Sequence, residues 1–395
     1  MDSLITDVMD IKTYNVKKIV DIIRFDDTYT KKDVAIETNL SMATVYNLCS
    51  ELYKKNVLIE TKITEQRVGR TPSIISFNYQ NFHVLTVDLQ IENMLSIALL
   101  NLRNEVLVWD DIDISGEHEI NDIVNKIYST YKLLSKRVFI DANLIGVGVS
   151  VPAIFDKNDD KLKSSALEIF ENQPLKKLLT DVFDCKVYIN NCANLRALSE
   201  YTENSSCKNI VCIDISQGVG AGVICEGNIV EGKNGYATEL AHIPIGSDQI
   251  CPLCGNIGCV ETDLGISYIV NKFLKETNID STLNLPEKWN LCTEYLFNNK
   301  KKYKEYLDFL GQILGKLSSI LINMFDPEKF YITGYFTSLI PLIYDSFTSE
   351  LNRRIFLFQQ EKIKIGIKQP KTFEIHEVIC NTMYNLWNPL NMTEH

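Results

Sequence analysis

Residues 239–261 read ELAHIPIGSDQICPLCGNIGCVE. Three cysteines, Cys251, Cys254 and Cys259, fall within nine residues, and His242 lies nine residues before the first of them. Structural zinc takes four ligands in a tetrahedron, usually Cys thiolates with one or two imidazoles. The Cys-Pro-Leu-Cys step spaces two thiolates to grip one ion, and Gly255 and Gly258 free the backbone to wrap around it. Three cysteines can also be inert buried thiols, since free Cys packs as a small hydrophobe. Their clustering with glycine and a histidine favours the metal. The expected ligand set is therefore His242, Cys251, Cys254 and Cys259, holding Zn²⁺.

The same stretch resembles the signature of the ROK family (repressors, uncharacterised reading frames and sugar kinases). Glu-x-x-His followed by a Cys-rich loop ending Cys-Gly-x-x-Gly-Cys-x-Glu appears here as Glu239-Leu-Ala-His242 and Cys254-Gly-Asn-Ile-Gly-Cys259-Val-Glu261. Two positions depart from the family pattern. Ala241 stands where the family usually has Gly, and Cys251 lies three residues before Cys254 instead of two. The resemblance extends over essentially residues 15–390. It implies an α/β fold with two actin/hexokinase-like (ribonuclease-H-like) lobes that close on a sugar.

Composition fits that size. The chain has 395 residues, 45% hydrophobic and 23% charged, enough for two or three domains. No apolar run reaches the ~18 residues a membrane span needs, and no signal-peptide pattern opens the chain. Eleven scattered cysteines suit a reducing compartment, so a cytoplasmic protein is expected. The net charge of −11 is unevenly spread: residues 1–80 hold 11 basic and 11 acidic side chains, so the excess acid lies entirely beyond them. An acidic body repels a polyanion, which confines any DNA contact to the first 80 residues.

Those residues read as a winged helix-turn-helix. Val16, Ile19, Val20 and Ile23 mark a helix, Thr30 caps a second, and Ser41 caps a third with Val45, Leu48, Cys49 and Leu52 on its inner stripe. Strands at Val57–Thr61 and Ser73–Phe77 flank a turn carrying Arg67, Gly69, Arg70 and Pro72. The candidate DNA contacts are Ser41, Met42, Thr44, Tyr46 and Asn47 at the third helix's exposed start, with Arg67 and Arg70 on the wing. A small three-helix unit can also dock a protein. Small polar side chains suited to base edges, and a RVGRTPS segment resembling the wing end of ROK repressors, favour DNA.

Beyond residue 80 the pattern becomes strand–strand–strand–helix–strand, and it appears twice. The expected division is 1–80 for the DNA-binding domain, 81–200 for the first lobe and 201–395 for the second, with a last helix near 376–388 crossing back. IVCIDIS reads as a strand leading into a Gly-rich turn, Gln217-Gly218-Val219-Gly220-Ala221-Gly222.

The resemblance also says which chemistry remains. In ROK kinases the Asp of Asn-Asp-Ala-Asn deprotonates the sugar hydroxyl; here the motif reads Asn191-Cys192-Ala193-Asn194. A thiol, mostly protonated at neutral pH, replaces that base poorly. Gln90 stands where the first phosphate loop needs Gly, and Tyr335 follows Gly334 where the adenosine side needs a second Gly, so its ring is expected to fill the nucleotide cleft. The sugar-holding set implied by the resemblance survives as Asn191, Glu239, His242 and Glu261, with His242 offering one ring nitrogen to zinc and the other to sugar.

The sequence thus reads as a sugar-responsive transcriptional regulator, a repressor and not an enzyme. It is expected to bind an inverted-repeat operator as a homo-oligomer, dimer or tetramer, away from any membrane. An ATP-dependent sugar kinase with an accessory DNA-binding domain is the alternative. A third reading keeps the DNA binding but has the sensor answer to a protein partner.

Overall fold

A computed structural model of the chain describes residues 8–62, 73–89, 93–138, 142–163, 168–277, 279–280, 282–360 and 362–392. Arg67, Gly69, Arg70, Pro72 and Gln90 lie outside these residues.

The chain opens with α1 (Val8–Ile23), α2 (Lys31–Thr38) and α3 (Met42–Lys54), then the antiparallel pair β1 (Leu58–Lys62) and β2 (Ser73–Phe77). Local chemistry sets the helix starts. Thr30 and Asp33 form a reciprocal capping box on α2, and Asn39 ends that helix in the left-handed conformation. Ser41 Oγ accepts from Thr44 N at 3.1 Å to start α3. The inner faces of the three helices are buried through Val16, Ile19, Val20, Ile23, Val34, Val45, Leu48, Cys49 and Leu52. Three packed helices thus precede a two-stranded antiparallel pair.

The first lobe contains β3 (Phe82–Asp88), β4 (Met94–Asn101), β5 (Val106–Asp113), α4 (Ile120–Arg137), β6 (Asn143–Val151), β7 (Ile154–Asp156), β8 (Lys161–Lys163), α5 (Leu175–Phe183), β9 (Lys186–Asn191) and α6 (Cys192–Glu203). The second runs through β10 (Ile210–Ile215), β11 (Val219–Cys225), β12 (Asn228–Ile229), α7 (Glu261–Leu264), α8 (Ile266–Thr277), α9 (Leu285–Asn298), α10 (Lys304–Phe325), β13 (Lys329–Thr333), α11 (Ile340–Arg354), α12 (Leu357–Gln360), β14 (Lys364–Ile367) and α13 (Glu374–Leu386). The sheet orders are β5-β4-β3-β6-β9 and β12-β11-β10-β13-β14. Each sheet has two antiparallel pairs on one side of its founding strand and two parallel pairs on the other. The same topology is thus used twice, as expected for two lobes of one kind. Among the described residues, no helix is long and apolar enough to cross a membrane.

Two details differ from expectation. The Gly-rich stretch is not one turn: only residues near Gly218 turn, and Gly220 and Gly222 lie inside β11. Their missing side chains let α6 press onto the strand, since a Cβ on Gly222 would sit 2.4 Å from Ala193 O and one on Gly220 2.8 Å from Ala193 Cβ. Residue 200 also does not part the lobes. α6 runs on to Glu203 and packs on β10 and β11 of the second sheet; α13 packs on β3, β4 and β6 of the first, as expected of a last helix that crosses back.

The N-terminal unit is not tethered by a linker. Val16, Ile19, Val20, Ile23 and Phe77 share one apolar cluster with Phe82 and Val84 of the first sheet and Ile379, Met383, Tyr384 and Trp387 of α13. Buried Arg24 adds polar ties, donating to Leu102 O at 2.5 Å and to Asn381 Oδ1 at 2.8 Å.

Candidate functional site

The loop before α7 folds back through bridges Pro244↔Cys259 and Ile250↔Ile257. It gathers one ligand atom each from His242, Cys251, Cys254 and Cys259, all within 4.8 Å of one another. His242 Nδ1 lies 3.7 Å from Cys251 Sγ, and Cys254 Sγ lies 3.5 Å from Cys259 Sγ. A tetrahedral zinc with ~2.3 Å Zn–S bonds requires sulfurs about 3.7–3.8 Å apart, so the donor set fits that ion. Burial holds the His242 imidazole below its usual range, which favours the neutral ring a metal needs. A zinc here would pin the loop between Glu239 and Glu261. The structural role leaves the pocket chemistry to the chain's own side chains.

A cavity of ≈ 110 Å³ opens beside this loop, where β9, α6, β11 and the loop meet. Asn191, Glu239, His242 and Glu261 all line it, so the four positions implied for sugar contact converge from three separate chain segments. Asn191 is held by its neighbours: Oδ1 caps α6 at Ala193 N (2.8 Å), and Nδ2 donates to Ala153 O (3.1 Å). Glu261 accepts from Val219 N at 2.8 Å. Gly218 gives that carboxylate room, since a Cβ there would meet Glu261 Oε1 at 2.6 Å.

Burial pushes the Glu239 carboxyl up to about 7. It does the same for Glu261, also to about 7, reinforced by the Glu239 charge and opposed by the Val219 N–H. Carboxyls poised near neutrality can both donate to and accept from a hydroxyl. Cys192 sits in the same cavity, and burial pushes its thiol well above the ordinary range. A group that holds its proton so tightly is no general base at neutral pH.

A second cavity of ≈ 510 Å³ is lined by Asp88, Arg196, Trp289, Gly334, Tyr335 and their neighbours. Tyr335 therefore lines the cleft rather than filling it. Burial raises its phenol, and its carbonyl accepts from Trp289 Nε1 at 2.8 Å.

At the other end of the molecule, Ser41, Met42, Tyr46 and Asn47 are exposed on α3, with Tyr46 48% accessible, and Thr44 is half-buried beside the cap. Arg67 and Arg70 are outside the described residues. Three acidic side chains of this unit are engaged: Asp33 in the capping box, Asp26 with Thr28, and Asp27 with Arg103 at 2.7 Å.

Sequence reasoning missed the apolar wall of the first cavity, Ala153, Ile154, Ala237 and Leu253. It also passed over Arg196 and Asp214, both almost fully buried between the cavities. Arg196 did leave a signal: it stands four residues after Cys192 and four before Glu200, so an arginine shares the buried helix face with the pocket cysteine.

Comparison with known proteins follows the same lines. The model of the ROK family matches residues 95–372. A xylose repressor of Caldicellulosiruptor bescii is 24% identical over 344 residues, covering 84% of this chain and 86% of its own. A solved ROK family transcriptional regulator, a homologue of the Escherichia coli MLC protein, superposes with a TM-score of 0.79 at 21% identity, covering 96% of this chain and 99% of that one. A ROK family glucokinase from Streptomyces griseus, solved with glucose and AMPPNP, superposes with a TM-score of 0.60 at 17% identity over 77% of this chain and 98% of its own.

Proposed function

The chain belongs to the ROK family, and from that premise we propose that it is a sugar-responsive repressor of transcription without kinase activity. The observation that carries this reading is the composition of the first cavity. Four side chains suited to hydroxyl groups line it together with Cys192, which stands where the family resemblance places the carboxylate base. Loss of a positioned base typically costs ~10²–10⁴ in rate. A pocket that keeps its sugar contacts and lacks its base is suited to sensing.

The regulator acts in the cytoplasm. It binds DNA through α3, with Ser41, Met42, Thr44, Tyr46 and Asn47 toward base edges and Arg67 and Arg70 on the wing. A single winged helix offers few base contacts, so two copies read an inverted repeat. Zinc on His242, Cys251, Cys254 and Cys259 keeps His242 and Glu261 in the pocket. Support comes from the exposed α3 face, the converging pocket and the similarity to a repressor across most of both chains.

A coupled assay with ATP and a panel of monosaccharides tests the absence of catalysis. Turnover is expected at background. A rate near ~1 s⁻¹, the lower range of kinases, would make the protein an enzyme.

A further inference from the structure

We propose that the buried Arg196–Glu374 ion pair, at the crossing of α6 and α13, relays the state of the pocket to the N-terminal helices, with Tyr384 at the far end of the relay. This rests on the reading of the chain as an effector-controlled DNA-binding protein.

The near end is built into the pocket. Asn191 caps α6 and Cys192 is its first residue, and both line the cavity, so a ligand held there pulls on the helix start. One turn further on, Arg196 Nη1 lies 2.7 Å from Glu374 Oε2, and its Nε lies 3.8 Å from Asp214 Oδ1. Asp214 itself lines the cavity. Arg196 belongs to a helix packed on the second sheet, Glu374 to one packed on the first. The pair therefore ties the two lobes together at the seam between them. Breaking such a buried pair strands a charge and costs far more than straining it, so the helices move together and do not slip.

The far end is equally specific. Tyr384, ten residues along α13, donates its hydroxyl to Asp21 of α1 at 2.6 Å. Its carbonyl accepts from Lys17 Nζ at 3.1 Å, and its ring carries Lys17 at 3.0 Å and Arg24 at 3.6 Å. Asn381, one turn earlier, receives Arg24. Three side chains of α1 and its end thus read the position of one stretch of α13. A helix of this length is a stiff rod of about 20 Å, so a 5° swing about its Arg196 end carries the other end by roughly 1.7 Å. That displacement is passed to the unit that bears α3.

Hydrogen exchange on the full-length protein tests the relay, with D-xylose, D-glucose and N-acetyl-D-glucosamine as the probes. In the wild type, a sugar that binds is expected to change exchange in α6, α13 and α1. In Glu374→Gln the sugar-induced change should stop at α6, and in Tyr384→Phe, which keeps the ring and loses only the bond to Asp21, it should reach α13 and be reduced by about half in α1. Without any sugar, Glu374→Gln should speed exchange in α1 by about fivefold or more, because a local opening free energy falls when its buried partner is lost. Glu350→Gln, which breaks the Arg353 and Arg354 pairs on α11, should leave α1 unchanged.

If sugar alters α1 equally in the wild type and both variants, the relay is wrong while the effector reading stands. If no sugar alters the pocket, the effector reading fails for these sugars, and the relay is still decided by Glu374→Gln: unchanged exchange in α1 overturns it.

Discussion

Replacing Gly222 by alanine separates two accounts of the Gly218-x-Gly220-x-Gly222 stretch. As the Gly-rich turn expected from the sequence, it would tolerate one methyl group with little effect on folding. As part of β11 under α6, it cannot. The Cβ of Gly222 would lie 2.4 Å from Ala193 O, 2.5 Å from Ala197 Cβ and 3.0 Å from Asn194 Cα. Comfortable carbon contacts begin near ~3.5 Å, so the helix must retreat by about 1 Å. Two of the three obstacles are backbone atoms, and no rotamer change relieves them. Gly222 does not have a positive φ, so alanine adds no backbone strain and the effect is purely one of crowding. Overpacking of this kind costs about 1–3 kcal/mol. The retreat also draws Asn191 and Cys192 out of the pocket floor, which should weaken sugar binding by about tenfold or more, or ~1.4 kcal/mol. Urea unfolding and calorimetric titration with a sugar that binds the wild type measure the two effects. Stability within ~0.5 kcal/mol of the wild type, the range of an uncrowded surface change, would refute the packing account.

Two buried histidines should make part of the protein's stability pH-dependent. Burial holds both His83 and His376 at about 4, against an ordinary 6.5. Their folded values lie below the unfolded one, so their stabilisation is complete above pH 6.5 and is lost as pH falls toward 4. Each can remove roughly 3 kcal/mol over that window. Glu239 and Glu261, held at about 7, act in the opposite sense as they protonate, so the test is a difference. In urea titrations from pH 8 to 4.5 the wild type should lose roughly 3 kcal/mol more than His83→Gln, and equal losses would contradict the burial. The purified protein should also carry about one zinc per chain, with Cys254→Ser and Cys259→Ser together abolishing it and weakening sugar binding. Elemental analysis without metal, or full retention in the double variant, would remove zinc from the account.

Local signals were the legible ones. Thr30 and Ser41 announce helix starts because a capping hydroxyl acts within three residues, and the structure uses both. The ligand cluster was legible for the same reason: three of its four members lie in one loop. Asn191 and Glu239 were placed by resemblance to a family pattern, since nothing in their own surroundings says they face a common cavity. The glycines of β11 were misjudged because Gly-x-Gly-x-Gly suggests a turn. The same spacing puts alternate residues on one face of a strand, and two bare positions there mean that another backbone comes close. The seam between lobes was beyond local reading altogether. Arg196 meets Glu374 across 178 residues, and Tyr384 meets Asp21 across 363. Such pairings arise from the topology, so the packing of α6 on the second sheet and the shared core of the N-terminal unit emerged only in three dimensions.

The most direct test of the central claim is one titration. Labelled operator, selected from random DNA by the wild-type protein, is titrated with the protein in the presence and absence of a sugar shown to bind it. Closing the lobes on sugar should shift the two recognition helices of a dimer relative to half-sites one turn apart, ~34 Å. The account predicts an operator affinity weakened by about 5–150-fold. Equal affinities with and without the bound sugar would contradict it.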